Sequence, residues 1–440
     1  MILSGQFDPS HHKGHVPITF EVPAGTTRLT ARFTTSPARE PGAFFDNMVC
    51  LSLTGPAGPR GARHNNPVRD FAITATEATP GYLPGKIEPG LWTVVLDCFR
   101  VLGRIEYTLE VICETAAVPV KPAFVARAPS PRGPGWYKGD LHAHTLHSDG
   151  TWDIDDLVAW TRSRHLDFMT LSDHNTTCGH AQLHALASDD LLTVGGMELT
   201  THWGHALALG VQEVPEWRVG PFTGKTMPAL AADIMTSGGL FVIAHPMSPG
   251  DPACTGCRWD YTDMRPGNAR LVEIWNGGPW SDYNEEGLAL YRHWLGLGHR
   301  LLATAGSDIH GPEGGKGQVG FNHVEADSLT EAAILSAVAL GRNYLSSGPR
   351  LILQARTPDG DLVAMGQGVP TGSVLLADWH SEQVPLTLRF VDATGQRASH
   401  PAPADQTGVA EVSGLAGFAM AELRDAAGRL HAVTNPIFIE

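Results

Sequence analysis

The chain has 440 residues, of which 42% are apolar and only 18% charged, and its formal net charge is −15. This length predicts two or three domains with ordinary cores, and the acidic balance argues against a nucleic-acid partner or an anionic membrane surface. Six cysteines do not make a disulfide framework in so long a chain. With no apolar run near the roughly 20 residues of a membrane span and no cationic-then-apolar leader, the expectation is a cytoplasmic protein that does not touch a membrane.

Residues 1–132 read as an antiparallel β-sandwich. VPITFEVPAG, TRLTARFTTS, NMVCLSLTGPAG, DFAITAT, LWTVVLDC and IEYTLEVIC are short runs rich in Val, Thr, Leu and aromatics, broken by Gly, Pro and Asn. No cluster of chemistry is visible among them. Val118 to Pro134 is Pro-rich and reads as a linker.

Over 135–345 the rhythm changes to strands alternating with helices. Asp153 can cap a helix through about His165, with Ile154, Leu157, Val158 and Thr161 at helical spacing. FMTLSDH, LLTVGGMEL, HALALG, LFVIAHP, LVEIWNG and LLATAGSD read as strands, and Met227–Ser237, Asn284–Leu297 and Thr330–Leu340 as helices. Apolar strands alternating with helices predict an α/β region built on a parallel sheet buried on both faces, most simply a barrel. Cys254 and Cys257 form a single C-x-x-C, read as free loop thiols and not as half of a zinc ribbon. Residues 346–440 revert to β in RLILQART, SVLLADWH, VPLTLRFVD, AMAELRDAAG and HAVTNPIFI, which predicts a second small sandwich.

The chemistry gathers in the middle region. In GWYKGDLHAHTLH, a strand runs out into a loop, and alternation along it aims His142 and His144 to one side. A βα barrel collects its chemistry at the C-terminal strand ends, and metal-type residues recur there. Asp149 follows in the first loop, His174 and Glu198 close the next two strands, His205 opens a strand, and His245, Asp308 and His310 close two more. Singly, His205 reads as a core histidine, Asp149 as a turn residue and Glu198 as a surface carboxylate. Ordinary barrel strands do not end this way six times running. His165, His184, His293 and His299 lie on helical stretches or turns and read as surface residues. Nine candidate ligands are too many for one ion, and a carboxylate can bridge two, with Glu198 the choice for that place. Mixed imidazole and carboxylate donors suit two or three divalent ions, Zn²⁺, Mn²⁺ or Fe²⁺.

D-L-H-A-H-T-x-x-S-D-G, L-S-D-H-N, G-M-E, A-H-P and G-S-D-I-H, in that order over about residues 136–348, resemble the polymerase and histidinol phosphatase (PHP) family. VPITFEVPAGTTRL, TPGYLPGKIEPGLWTVVL, GHALALG, EIWNGG, GRNYLSSGP and TNPIFIE are similar to one branch, the carbaryl-hydrolase-like (CehA/McbA) metallohydrolases, over nearly the whole chain. The resemblance implies a distorted (β/α)7 barrel flanked by the two β-sandwiches. His142, His144, Glu198 and Asp308 would match one ion's ligands; Glu198, His205 and His245 a second's; Asp149, His174 and His310 a third's. Some PHP phosphatases carry a histidine near the place of Asp149, where this chain has the shorter carboxylate. The short spacing from Glu198 to His205 leaves His202 as a competing ligand.

Clustered divalent ions imply hydrolysis by metal-bound hydroxide, with Asp308 holding the water and taking its proton. Asn276 could donate to substrate or cap its strand, and Arg342 could contact an anion or, preferably, pair structurally. No G-x-S-x-G elbow or Walker-type loop is present. The expected substrate is a small-molecule phosphoester, mono- or diester; a carbamate or carboxylic ester is the alternative, and a non-catalytic binding module a third reading. Phosphate calls for cations, and the nearest in sequence are Arg258, Arg265, Lys316 and Arg342. The sequence leaves the oligomeric state open.

Overall fold

The computed structural model describes residues 1–314 and 317–440, so Lys316 lies outside the described residues. The chain is mixed α/β and rich in strands, with few helices. No helix among the described residues is long and apolar enough to cross a membrane.

Two four-stranded antiparallel sheets build the N-terminal region. One runs Ile2–Phe7, Ile105–Glu114, Arg28–Ser36, Phe71–Thr74; the other runs Gly14–Val22, Gly90–Arg100, Met48–Gly55, Gly58–Arg63. Alternation decides what they bury. Leu29, Ala31 and Phe33 point into a core shared with Phe20, Leu51 and Val94, while Thr30 and Arg32 face outward. Gly90–Arg100 departs from that rule, because it is buried continuously from Val94 to Arg100. Its second face, with Phe99 and the neighbouring Cys50, joins the core of the α/β region.

The central sheet runs Leu302–Gly306, Leu271–Asn276, Leu240–Ile243, His205–Leu209, Leu192–Thr200, Phe168–Leu171, Gly135–Asp140, Phe321–Ala326, Asn343–Ser346. The expected parallel pairing holds in two runs, Leu302–Gly306 with Leu271–Asn276 and Leu240–Ile243, and Leu192–Thr200 with Phe168–Leu171 and Gly135–Asp140, and is corrected at two other strands. His205–Leu209 is antiparallel to both its neighbours, and Phe321–Ala326 is antiparallel to Gly135–Asp140. For His205–Leu209 the cause is connection length. Thr200 pairs with His205 across residues 201–204 alone, and so short a link makes a hairpin, whereas a parallel crossover needs about a dozen residues.

The edge strand Leu302–Gly306 is met by side-chain amides. Ala305 N donates to Asn322 Oδ1 (3.1 Å) and Ala305 O accepts from Asn322 Nδ2 (2.6 Å), while Asn435 and Asn343 serve Ala303 in the same way. Just beyond, Asp308 N donates to His142 O (2.8 Å) and His144 N to Ile309 O (2.9 Å). The strand edge is thereby satisfied, and the segments that carry His142, His144, Asp308 and His310 lie side by side.

Asp153, Thr226, Ser281 and Thr330 cap four helices through their side-chain oxygens, as such residues do. Beyond Ser346 the central sheet continues into Leu430–Thr434, Gly417–Arg424, Leu386–Asp392 and Gly395–Ala402. A second sheet, Leu362–Ala364, Arg350–Arg356, Val374–Ser381 and Gln406–Val412, closes over the core that includes Leu353, Phe390 and Leu423. Cys254 and Cys257 are not the expected free thiols. Their Cα atoms are 5.5 Å apart in a tight turn, within bridging range, and the sulfurs form a disulfide.

Candidate metal centre

The segment after Gly135–Asp140 is pinned before it presents its histidines. Asp140 Oδ1 accepts from His142 N (3.2 Å) and Ser307 N (2.9 Å), so one buried carboxylate sets both strand ends. Burial pushes that carboxyl up to about 6. Asp173 accepts from Thr145 N, Thr145 Oγ1 and Ser148 Oγ at 2.7–2.8 Å and so holds the turn that carries Asp149. Ala143 points the other way, into an apolar cluster with Leu157 and Met169, as strand alternation requires. His245 and Asp308 adopt left-handed backbone, with φ of 25° and 47°. Non-glycine residues held there store strain, and such strain gathers at functional sites.

Five imidazoles converge on Glu198, which is fully buried. Its Oε2 lies 3.2 Å from His142 Nε2, 3.3 Å from His144 Nε2 and 2.9 Å from His174 Nδ1. Its Oε1 lies 2.9 Å from His205 Nδ1 and 3.0 Å from His245 Nε2. The two oxygens of one carboxylate therefore address different histidines. Asp308 Oδ1 is 3.0 Å from His144 Nε2 and 3.4 Å from His142 Nε2. Asp149 Oδ1 is 3.2 Å from His310 Nε2 and 3.4 Å from His174 Nε2.

The donor set fits metal ions. Ligand atoms lie within 4.8 Å of one another in four groups: His144, Asp149, His174 and His310; His142, His245 and Asp308; His142, His144 and Glu198; His174, Glu198 and His205. His144 Nδ1 and His205 Nε2 are buried without a hydrogen-bond partner among the described residues, which is costly unless something else satisfies them. His142 Nε2 and His144 Nε2 stand 3.0 Å apart, where two neutral lone pairs conflict unless a cation or a proton is shared.

All nine sequence-predicted ligands are thus in one place, but the partition differs from the one implied by resemblance. His174 reaches both Glu198 and Asp149 through its two ring nitrogens, and His144 joins the Asp149 group. The competing His202 is elsewhere, stacked on His15 at 4.5 Å.

The electrostatics follow from the packing. Burial would raise the Glu198 carboxyl, but His174, His142 and His205 outweigh it and hold the group well below the usual carboxylate range. Asp308 and Asp149 are held down by their histidines in the same way. Burial would lower His142 and His245, but the carboxylates facing them raise His142 well above its ordinary value and His245 to about 9.

Glu273, which the sequence reading passed over, completes the centre. It is buried, its Oε1 is 3.0 Å from His142 Nδ1, and its Oε2 accepts from His245 N (3.1 Å). The signal available was an acidic residue inside the apolar run LVEIW.

Asn276 does not face the cavity as a substrate donor would. Its amide donates to Glu273 Oε2 (2.9 Å), and Asn284 brackets its backbone. Arg342 O accepts from Glu325 N, and Glu325 stands opposite Trp136 near the start of the strand whose far end leads to His142. Arg342 therefore lies away from the centre. The N-terminal region, whose sequence shows no cluster of chemistry, nevertheless reaches the site. A cavity of about 210 Å³ opens onto Asp149, His174, Glu198, His205, His245, Asp308 and His310, and Met48, His64, Asn65 and Arg100 form part of its wall. Nothing local marks these four in the sequence, because only the second buried face of the Gly90–Arg100 sheet brings them to the centre.

No family model and no curated protein matches the chain. Solved structures give weak likenesses. A two-domain protein from Bacteroides vulgatus, containing a predicted PHP-like metal-dependent phosphoesterase, is 16% identical with a TM-score of 0.41, covering 72% of this chain and 100% of its own. An amidohydrolase from Chromobacterium violaceum with bound sulfate is 17% identical with a TM-score of 0.30, covering 40% of this chain and 88% of its own. A proposed metal-dependent phosphoesterase from Bifidobacterium adolescentis is 19% identical with a TM-score of 0.30, covering 43% and 91%.

Proposed function

We propose that the centre holds two or three divalent ions, Zn²⁺, Mn²⁺ or Fe²⁺, and that the protein is a metal-dependent hydrolase of a small phosphoester. In this reading residues 135–345 are a distorted (β/α)7 barrel of the PHP type, close to its CehA/McbA branch, flanked by β-sandwich regions at 1–132 and 346–440. The observation that carries it is the two-sided Glu198, whose oxygens address His142, His144 and His174 on one side and His205 and His245 on the other. A carboxylate so placed would be positioned to bridge two cations.

The ions, when bound, polarise a phosphoryl or acyl oxygen and lower the pKa of water. The chain supplies the rest. His142, His144, His174, His205, His245 and His310 are neutral donors once their protons leave, and Glu198, Asp149 and Asp308 supply the negative charge. Asp308 lines the cavity beside Glu198. Its histidines keep it ionised, so it can accept a hydrogen bond from the attacking water and orient it. Glu273 holds His142 in one orientation from behind.

Hydrolysis of a carbamate or carboxylic ester is the second reading. It is favoured by the cavity wall, where Arg100 is the one cationic side chain besides the histidines among the described residues. The test joins elemental analysis of the gently purified protein to turnover of para-nitrophenyl phosphate, bis(para-nitrophenyl) phosphate, para-nitrophenyl acetate and a naphthyl carbamate. At least two ions per chain and preferred turnover of a phosphate probe are expected. One ion or none after metal-supplemented growth would remove the multinuclear reading, and turnover confined to the acyl probes would select the second.

A further inference from the structure

Arg100 ends the strand Gly90–Arg100 and reaches the wall of the metal cavity, yet its hydrogen bonds among the described residues all go to carbonyl oxygens. Nε donates to Asp46 O (2.6 Å), and Nη1 to Pro252 O (2.8 Å) and Ala253 O (3.4 Å). The residue is 9% exposed. Asp46 and Asp251 act on this guanidinium only through space, and the neutral carbonyls that bond it orient it but do not neutralise it. Nη2 donates to none of the described residues. The wall around Arg100 is fixed: Asn65 Nδ2 donates to Asp149 Oδ2 (3.4 Å), and Asn66 Nδ2 to Ser148 O (3.0 Å). The cavity, about 210 Å³, is below the roughly 300 Å³ at which pockets for drug-sized ligands begin.

We propose that Arg100, carried by the N-terminal sheet, is the residue that receives a negatively charged group of the substrate, and that the substrate is a small anionic ester. This rests on the hydrolase reading above. Asp46, Pro252 and Ala253 aim the guanidinium, which lies over the Phe45 ring at 5.4 Å, and its Nη2 supplies charge-assisted donors to a phosphoryl or carboxylate oxygen. The centre thereby requires the N-terminal sheets, which supply the fixed cation that the middle region does not place in the cavity.

The competing role for Arg100 is mechanical, since the same bonds hold the 251–257 loop. Lys13 holds that loop independently through its ion pair with Asp251, which provides a control. The experiment measures inorganic phosphate binding by calorimetry on the full chain for the native protein, Arg100→Gln, Arg100→Lys and Lys13→Ala, with metal content determined on the same samples. Arg100→Gln is expected to keep its ions and bind phosphate at least tenfold more weakly. Arg100→Lys should fall between, and Lys13→Ala should match the native protein. On whichever para-nitrophenyl probes the native enzyme turns over, Arg100→Gln should raise KM for the phosphate and leave KM for the neutral acetate unchanged. Phosphate binding that is absent from the native protein, equal in Arg100→Gln, or lost equally in Lys13→Ala would overturn the proposal. A native protein without metal whose phosphate binding still depends on Arg100 would overturn the hydrolase reading and leave the anion site standing.

Discussion

Glu273 Oε1 stands 3.0 Å from His142 Nδ1, and the contact decides what the His142 ring can do. A carboxylate accepts only, so Nδ1 carries a proton, and once the Nε2 proton leaves, that nitrogen's lone pair is directed toward Glu198 and His144. The other oxygen of Glu273 accepts from His245 N and from Asn276 Nδ2, so one carboxylate positions parts of three strand ends. Carboxylates behind metal-binding histidines are worth about tenfold to a hundredfold in metal affinity. Glu273→Gln should weaken metal binding by about that factor, because the amide can present its NH₂ to Nδ1 and favour the wrong tautomer. Competition against a chelator of known affinity measures it, and unchanged affinity would remove Glu273 from the centre.

Gly306 precedes Ser307 and Asp308 at the same junction. A Cβ there would collide with both Glu273 Oε1 and His142 Cβ, neither of which can retreat inside a buried strand end. Overpacking of this kind costs about 1–3 kcal/mol. Gly306→Ala should lower the melting temperature and weaken metal binding together, since the displaced atoms belong to the centre itself. A variant that melts lower but binds metal normally would show that the strain is relieved away from His142.

The candidate ligands other than Asp149 were legible because they sit at or just beyond strand ends, where alternation and chain order place them. His142 and His144 needed only the two-residue repeat. The antiparallel hairpin after Thr200 was equally open to inspection, since residues 201–204 are too few for a crossover, but the repeating strand–helix rhythm around it pointed to a parallel sheet. Glu273 was hidden by its apolar neighbours, which mark a buried strand and say nothing of what its one polar side chain meets. Met48, His64, Asn65 and Arg100 could not be read at all. They reach the cavity through packing between regions far apart in sequence, and no local pattern encodes that contact.

His202 gives the fold an acid-sensitive joint apart from the ligands. Its ring is stacked on His15 and packed edge-on against Phe99 at 4.8 Å. Burial, with His15 adding to it, holds its pKa down to about 3, against about 6.5 in the unfolded chain. A base with a depressed folded pKa is protonated more readily when unfolded. Its contribution is complete above pH 6.5 and drains away as pH falls toward 3. His202→Phe keeps the ring and removes the proton site. In chelator-treated protein the variant should lose less melting temperature between pH 7 and pH 4 than the native chain. Parallel curves would assign the acid sensitivity to other groups.

Glu198 and Asp149 are both buried carboxylates among histidines, yet they should behave differently. Two unit charges about 4 Å apart interact by roughly 4 kcal/mol at an effective dielectric near 20, and two divalent ions repel about fourfold more before ligands neutralise them. Glu198 presents one oxygen to each histidine group and is placed to offset that repulsion. Among the described residues the Asp149 carboxylate pairs with His174 and His310, and His144 completes its group. Glu198→Ala should therefore lose most of its metal and nearly all turnover, since both cations depend on it. Asp149→Ala should keep two ions and part of the activity, because the Glu198 side of the centre is untouched. Metal stoichiometry and turnover are measured side by side on the two variants. If Glu198→Ala retains its full metal and Asp149→Ala does not, the bridge is a different carboxylate, and Asp308, 3.0 Å from His144 Nε2 and 3.4 Å from His142 Nε2, is the next to test.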